Sequence, residues 1–178
     1  MNDNLQFRVA GADDLHEEER AALIQLCTAA YEENFDHLFL ALPGATHVLG
    51  RLDGEIVTHA AWVTRWLQPA GLPLLRTAYV EAVATAPVRQ GLGFGTAVMQ
   101  HLQTHIQDYE LGALSPSEVA FYARLGWEMW QGPLAIRTTA GIEPTPPDEE
   151  VMILRLPRTP ALELSVLLTA EWREGELW

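Results

Sequence analysis

No lysine occurs among the 178 residues, and that absence removes one class of phosphate site at once. A Walker loop ends in Gly-Lys-Ser/Thr, whose lysine reaches the terminal phosphates, so a P-loop nucleoside triphosphatase is excluded. Positive charge is scarce altogether. Eleven arginines stand against 24 Asp and Glu, for a formal net charge of −13 at pH 7 with His neutral. Such an imbalance opposes binding to nucleic acid or to an anionic membrane surface, and it draws cationic small molecules into any cleft that shares the sign. Acidic residues that only keep a protein soluble would produce the same total. Cysteine is nearly missing too. The single Cys27 cannot close an internal disulfide, and its place in an apolar helical pattern marks it as a buried structural thiol and not a nucleophile. Nowhere do about 18 apolar residues run together as a membrane span requires. The start, MNDNLQF, lacks the basic-then-apolar order of a secretory signal, so the expected location is cytoplasmic.

With 48% hydrophobic and 20% charged residues, the composition is that of a globular chain, and the length suits one well-buried domain spanning 1–178. Leu5 to Ala10 reads as a first strand. Asp13 or Asp14 offers an N-cap to a helix that carries Glu17, Glu18 and Glu19 in its first turn and runs to about Tyr31. Leu15, Ala22, Leu26 and Ala29 keep helical spacing and are expected in the core. Glu32 to Leu42 predicts a short second helix that Pro43-Gly44 ends. Thr46 to Leu52 and Glu55 to Leu67, joined at Asp53-Gly54, predict a hairpin with a tight primed turn, and after a turn near Pro69 to Pro73 the chain continues as a strand to Thr85. A helix over Thr96 to Gln107, a strand over Leu111 to Leu114 and a helix capped by Ser115 or Ser117 and ended by Gly126 follow. Trp127 to Trp130 reads as a strand, Thr138 to Glu150 as a polar, proline-rich loop, Val151 to Leu156 as a last strand, and the tail from Leu162 as helical at first.

Between the long strand and the helix after it lie Gly91, Gly93 and Gly95. Glycines leave backbone N–H groups unobstructed just where a helix presents its unpaired donors and the positive end of its dipole, which makes an anion site, best suited to a phosphate. The dinucleotide fingerprint needs a wider last gap than these glycines provide. A tight connection without a ligand is the bland alternative.

The sequence Gln90-Gly91-Leu92-Gly93-Phe94-Gly95 resembles the acyl-CoA pyrophosphate loop of the GNAT acetyltransferases, [QR]-x-x-G-x-[GA]. Three further blocks, VEAVAT from Val80, LGALSPSEVAFYARLGWEMWQGP from Leu111, and TPPDEE with the terminal EWREGELW, resemble the aminoglycoside 2′-N-acetyltransferases over most of the chain from Tyr79 onward. The resemblance implies an α/β fold with a mostly antiparallel central sheet flanked by helices, its fourth and fifth strands parallel and splayed. It implies acetyl-CoA as cosubstrate, held by Val83, Thr85, Arg89, Gln90, Gly91, Gly93, Gly95 and Thr96. It also implies an acceptor site lined by Glu81, Ser115, Asp148 or the neighbouring Glu149, Glu176 and the C-terminal carboxylate of Trp178. Glu176 stands where that family usually has Asp, and its acidic N-terminal positions align loosely with Asn34 and Asp36.

Acetyl transfer to an amine needs a group to take the ammonium proton, donors for the developing oxyanion, and a proton for the leaving thiolate. On the resemblance, Glu81 is the base directly or through water, Val83 and neighbouring amides polarise the thioester, Tyr122 is the acid, and the terminal carboxylate orients the amine. Glu81 facing solvent, Tyr122 as a core tyrosine and the acidic loop as a solvated turn are the alternatives. Among six histidines, only His101 and His105 stand at i, i+4, without the Glu of H-E-x-x-H, so no metal is expected. The strand tryptophans Trp62, Trp66, Trp127 and Trp130 are expected in the core. An enzyme acting on another polyamine or aminosugar, or a CoA-binding or drug-sequestering protein with little turnover, are competing readings. The oligomeric state stays open between monomer and homodimer.

Overall fold

The computed structural model describes residues 4–175, 177 and 178, with the backbone alone at Leu40. In chain order the elements are β1 (Leu5–Gly11), α1 (Glu17–Tyr31), α2 (Leu38–Ala41), β2 (Thr46–Leu52), β3 (Glu55–Pro69), β4 (Leu75–Thr85), α3 (Phe94–His105), β5 (Leu111–Leu114), α4 (Val119–Ala123), β6 (Glu128–Met129), β7 (Leu134–Thr138), β8 (Gly141–Pro144), β9 (Met152–Arg155) and β10 (Leu168–Glu171). The fold is mixed α/β, as the resemblance implied. Two compact units divide the chain: one made of residues up to Val63 with Val80–His105, the other of Thr64–Tyr79 with Ile106–Trp178. β3 and β4 therefore each contribute to both.

In the first unit β1, β2 and β3 form an antiparallel meander, with Leu5 opposite Leu52 and Thr46 opposite Trp62. Asp53 and Gly54 connect β2 to β3 with φ of 52° and 89°, the left-handed pair that a primed turn demands. From Val57 to Val63 β3 is buried at every residue, which is how a strand reads when both faces are covered. α3 packs on β2 and buries Phe94, Val98, Met99 and Leu102, a stripe at helical spacing. It begins two residues before the expected Thr96 and ends at His105.

α1 departs from expectation at its start. Its N-cap is His16, and Asp13 and Asp14 sit in a preceding 3₁₀ turn, Ala12–Asp14. Leu15 is buried, so the chain turns it into the core before the helix begins. Glu19 reaches back to accept from the His16 amide at 3.0 Å, as in a capping box. It also binds Arg8 at 2.6 Å and Arg51 at 2.8 Å. The buried residues of α1 are Glu19, Leu23, Leu26 and Cys27. Ala29 is exposed and Ala22 half-buried, because the face is set by the bulky Leu23 and by Glu19, which two arginines allow to turn inward.

In the second unit β4 runs parallel to β5, from Thr77 opposite Leu111 to Tyr79 opposite Ala113, and continues to Thr85 beyond the paired stretch. β9 lies antiparallel to β5 and to β6. β10 pairs antiparallel with the end of β3, Leu168 opposite Pro69, and parallel with β7, which forms a hairpin with β8. Here three expectations fail. The first part of the expected Thr138 to Glu150 loop is instead β8, which closes a hairpin with β7, and only the stretch after Pro144 is loop. The tail forms a strand instead of a helix, because its polar backbone is claimed from outside: Ala70 N donates to Leu167 O at 2.8 Å, and Gln131 N and Gly132 N both donate to Leu164 O at 2.9 Å. α4 is capped at Glu118, not at Ser115 or Ser117. The last expected strand and the Trp127 to Trp130 strand both form, shortened at their ends.

Within this unit β3 alternates, with Arg65 and Leu67 buried and Thr64 and Trp66 outward. Trp66 is accordingly 44% exposed, against the expectation of a core residue, whereas Trp62, Trp127 and Trp130 are buried. No helix among the described residues is long and apolar enough to cross a membrane.

Candidate active site

β4 leads into the glycine loop through a 3₁₀ turn, Pro87–Arg89. Gly91 and Gly93 have φ of 73° and 88°, left-handed values that an L side chain adopts only with strain. A Cβ added at either would meet nothing within 4 Å, so open space lies beside the backbone at both. Gly95 belongs to the first turn of α3, after Phe94, whose buried ring seats the helix start. The first bond of that helix runs from Ala97 N to Gly93 O at 3.0 Å. The amides before Ala97, Thr96 among them, are the first-turn donors that a helix cannot pair internally. Arg89 and Gln90 are exposed beside them, and Gln90 Nε2 donates to Thr85 O at 3.3 Å. The donor set and the free space fit a pyrophosphate approached by backbone amides and one guanidinium.

Upstream, Glu81 and Val83 are half-buried on β4. Between them Ala82 has φ of 50°, a left-handed conformation that is unusual for a residue with a Cβ and marks a break in the strand's alternation. Val83 O accepts from the Tyr31 hydroxyl at 2.9 Å. Thr85 Oγ1 lies 3.0 Å from Thr58 Oγ1. Asn34 and Asp36, on the exposed link between α1 and α2, engage each other. Asn34 Nδ2 donates to Asp36 Oδ2 at 3.0 Å, and Asp36 N donates to Asn34 Oδ1 at 2.7 Å. Cys27 is free and buried, and burial pushes its thiol up to about 12, which fits the structural reading and not a nucleophile.

The second unit holds the remaining expected residues. Tyr122 is 4% exposed, with Phe121 and Trp127 edge-on at ring centroid distances of 4.9 and 6.4 Å. Burial raises its pKa and a hydrogen bond with the Ser117 side chain partly offsets that, so its hydroxyl keeps the proton at neutral pH. Ser115 is exposed directly after β5, and Asp148 is exposed in the turn after β8, where Glu149 N donates to Pro146 O at 3.2 Å. Glu176 lies outside the described residues. Trp178 is buried at 3% exposure.

A residue that the sequence reading missed holds that end. Arg65, 2% exposed, donates through Nη1 to Leu177 O at 2.6 Å and through Nη2 to Glu171 O at 2.8 Å. Its Nε lies 3.5 Å from Glu171 Oε1, and its guanidinium carbon sits 4.9 Å from the Tyr79 ring centroid. Burial, and then the nearby Arg173, work against its charge, while Glu171 supports it. The available signal was an arginine in the otherwise apolar run of β3, which calls for buried partners. Among the described residues no three His, Cys, Asp or Glu side chains cluster as metal ligands. His101 instead stacks on Phe7 with centroids 4.4 Å apart.

The acetyltransferase (GNAT) domain profile matches residues 12–130. An aminoglycoside 2′-N-acetyltransferase of Mycolicibacterium fortuitum is 35% identical over 178 residues, covering 96% of this chain and 91% of that protein. Among solved structures, the GNAT family N-acetyltransferase YhbS of Escherichia coli in complex with CoA superposes with a TM-score of 0.65 at 14% identity, covering 96% of this chain and 91% of that one. Eis1 of Mycobacterium abscessus gives 0.60 at 20% identity over 72% of this chain, which spans 32% of Eis1. At these identities the two structures speak for the fold alone.

Proposed function

The chain belongs to the GNAT acetyltransferases, and on that premise we propose that it transfers an acetyl group from acetyl-CoA to the 2′-amino group of aminoglycosides or of a closely similar cationic aminosugar. The observation that carries this reading is the similarity to an aminoglycoside 2′-N-acetyltransferase along 96% of the chain. The formal charge of −13 suits a polycationic acceptor, and the open backbone at Gly91 and Gly93 suits the cosubstrate's pyrophosphate.

Acetyl-CoA supplies, when bound, a thioester whose carbonyl carbon accepts the amine nitrogen as the bond to sulfur breaks. The chain supplies binding and proton movement. Gly91, Gly93, Gly95, Thr96, Arg89 and Gln90 hold the pyrophosphate, and Val83 and Thr85 bind the acyl arm through their backbone. Glu81 takes the proton of the acceptor ammonium, directly or through water, since an acidic site favours the charged amine that cannot attack. Tyr122 gives its proton to the departing sulfur, its buried hydroxyl being protonated at neutral pH. Asn34, Asp36, Ser115, Asp148, Glu149, Glu176 and Trp178 bind the cationic rings.

Release of free CoA from acetyl-CoA, measured with aminoglycosides bearing either an amino group or a hydroxyl at the 2′ position, tests the proposal. Turnover confined to the 2′-amino drugs is expected. Equal turnover on both would move the reaction to another amine, and binding without CoA release would mean sequestration.

A further inference from the structure

Four consecutive carbonyls at the end of β4 each accept a side-chain hydrogen bond. Ala82 O lies 2.8 Å from His59 Nδ1, Val83 O 2.9 Å from the Tyr31 hydroxyl, Ala84 O 3.0 Å from Thr58 Oγ1, and Thr85 O 3.3 Å from Gln90 Nε2. Backbone carbonyls in a sheet are ordinarily satisfied by the neighbouring strand. Here, around Ala82 at φ 50°, side chains from α1, β3 and the glycine loop bind these carbonyls as well. A left-handed residue with a Cβ is strained and persists where its surroundings over-determine it.

The donors also fix one another. A carbonyl only accepts, so His59 Nδ1 carries the hydrogen and His59 Nε2 is an acceptor. Nε2 lies 3.0 Å from His47 Nδ1, which therefore donates. His47 and His59 are both fully buried. Burial pushes both imidazoles well below the usual histidine range, with Arg20 adding to this at His47 and His47 itself at His59, so neutral tautomers are in place at pH 7. The ring of His59 thus has one orientation and one tautomer, aimed at Ala82 O. In a planar trans peptide the carbonyl and the following amide point in opposite directions. Successive peptide groups of an extended strand face opposite ways, so pinning Ala82 O and Ala84 O on residues of β3 aims the N–H groups of Val83 and Thr85 away from β3, while Tyr31 of α1 fixes the intervening Val83 carbonyl.

We infer that His59, Thr58 and Tyr31 are positioning residues that fix the peptide orientations at the end of β4, so that the Val83 and Thr85 amides are presented to the acyl arm of acetyl-CoA. The inference rests on the proposed use of Val83 and Thr85 by the cosubstrate. It assigns the direction of those amides to side chains that touch neither substrate.

The test uses the full chain with CoA alone and then with acetyl-CoA and a 2′-amino aminoglycoside. In ¹H–¹⁵N spectra, CoA should shift the Val83 and Thr85 amides of the wild type. His59→Leu, which removes the donor, and Tyr31→Phe, which removes one oxygen, should diminish that shift and lower kcat about tenfold, with the KM for the acceptor little changed. His59→Asn places an amide N–H near the position of Nδ1 and should recover most of both signals, a rescue that a purely space-filling role would not produce. A folded His59→Leu with wild-type kcat and wild-type amide shifts overturns the inference, as does His59→Asn failing as fully as His59→Leu. Should His59→Leu not fold, Tyr31→Phe decides on the same two readouts. Because the spectra need no acceptor, a wild type that shows the amide shifts yet acetylates no 2′-amino drug sinks the acceptor reading alone.

Discussion

Arg65 offers the sharpest perturbation of the C-terminal end. Met at this position fills nearly the same volume and removes the guanidinium, leaving Leu177 O and Glu171 O without the donors that hold them at 2.6 and 2.8 Å. A hydrogen bond to a charged group contributes about 1.5–3 kcal/mol, and the lower figure for two such bonds gives a loss of about 3 kcal/mol. The ion pair to Glu171 adds little, since it is 3.5 Å long and its carboxylate is 37% exposed, where solvent screens it. For a domain of this size each kcal/mol shifts Tm by about 2–4 °C, so a fall of about 6–12 °C is expected by circular dichroism. The same two bonds seat the stretch that ends in buried Trp178. Initial rates should therefore show a raised KM for the acceptor while calorimetric affinity for CoA stays near that of the wild type. Arg65→Lys should fall between, because an ammonium lacks the planar fork that serves two carbonyls at once. An Arg65→Met protein with unaltered Tm and unaltered acceptor KM would refute the reasoning.

Tyr122→Phe keeps the ring between Phe121 and Trp127 and removes only the proton, so turnover should fall about 10²-fold with acceptor binding retained; lowered Tm with normal turnover would make it a core tyrosine instead. Val at both Gly91 and Gly93 should weaken CoA binding at least tenfold in calorimetry and leave a folded protein, since the new side chains enter empty space and cost mainly backbone strain. Glu19 has a lowered pKa: burial alone would raise it, but the His16 amide and Arg51, with Arg8, more than offset that. A group depressed in the fold stabilises it above its unfolded pKa, near the ordinary carboxylate range, and loses that contribution as pH falls through the folded value. Thermal unfolding from pH 7 to pH 3 should therefore decline less steeply in Glu19→Gln than in wild type, and parallel curves would contradict this.

Features set by neighbours in the chain were legible from the residues alone. Asp53-Gly54 dictated a primed turn because few residue pairs tolerate two left-handed conformations, and the strand, glycine loop and helix around Gly91 and Gly93 followed from an apolar run, a proline and glycines in order. α1, β1, β2 and β5 were readable for similar reasons, their period and their breakers being local. Other features depend on partners far away in sequence. The tail from Leu162 has helical spacing, yet β3 and β7 offer it unpaired edges and Arg65 claims its carbonyls, so it becomes β10. Ala82 is an ordinary strand residue by propensity, and it takes a left-handed conformation in a structure where His59, Tyr31 and Thr58 bind the carbonyls around it. Arg65 and His59 lie in the largely buried β3, and the groups that satisfy them come from Leu177, Glu171, His47 and Ala82. A buried polar group is tolerated only with its partner in place, and the tertiary structure alone decides which partner arrives.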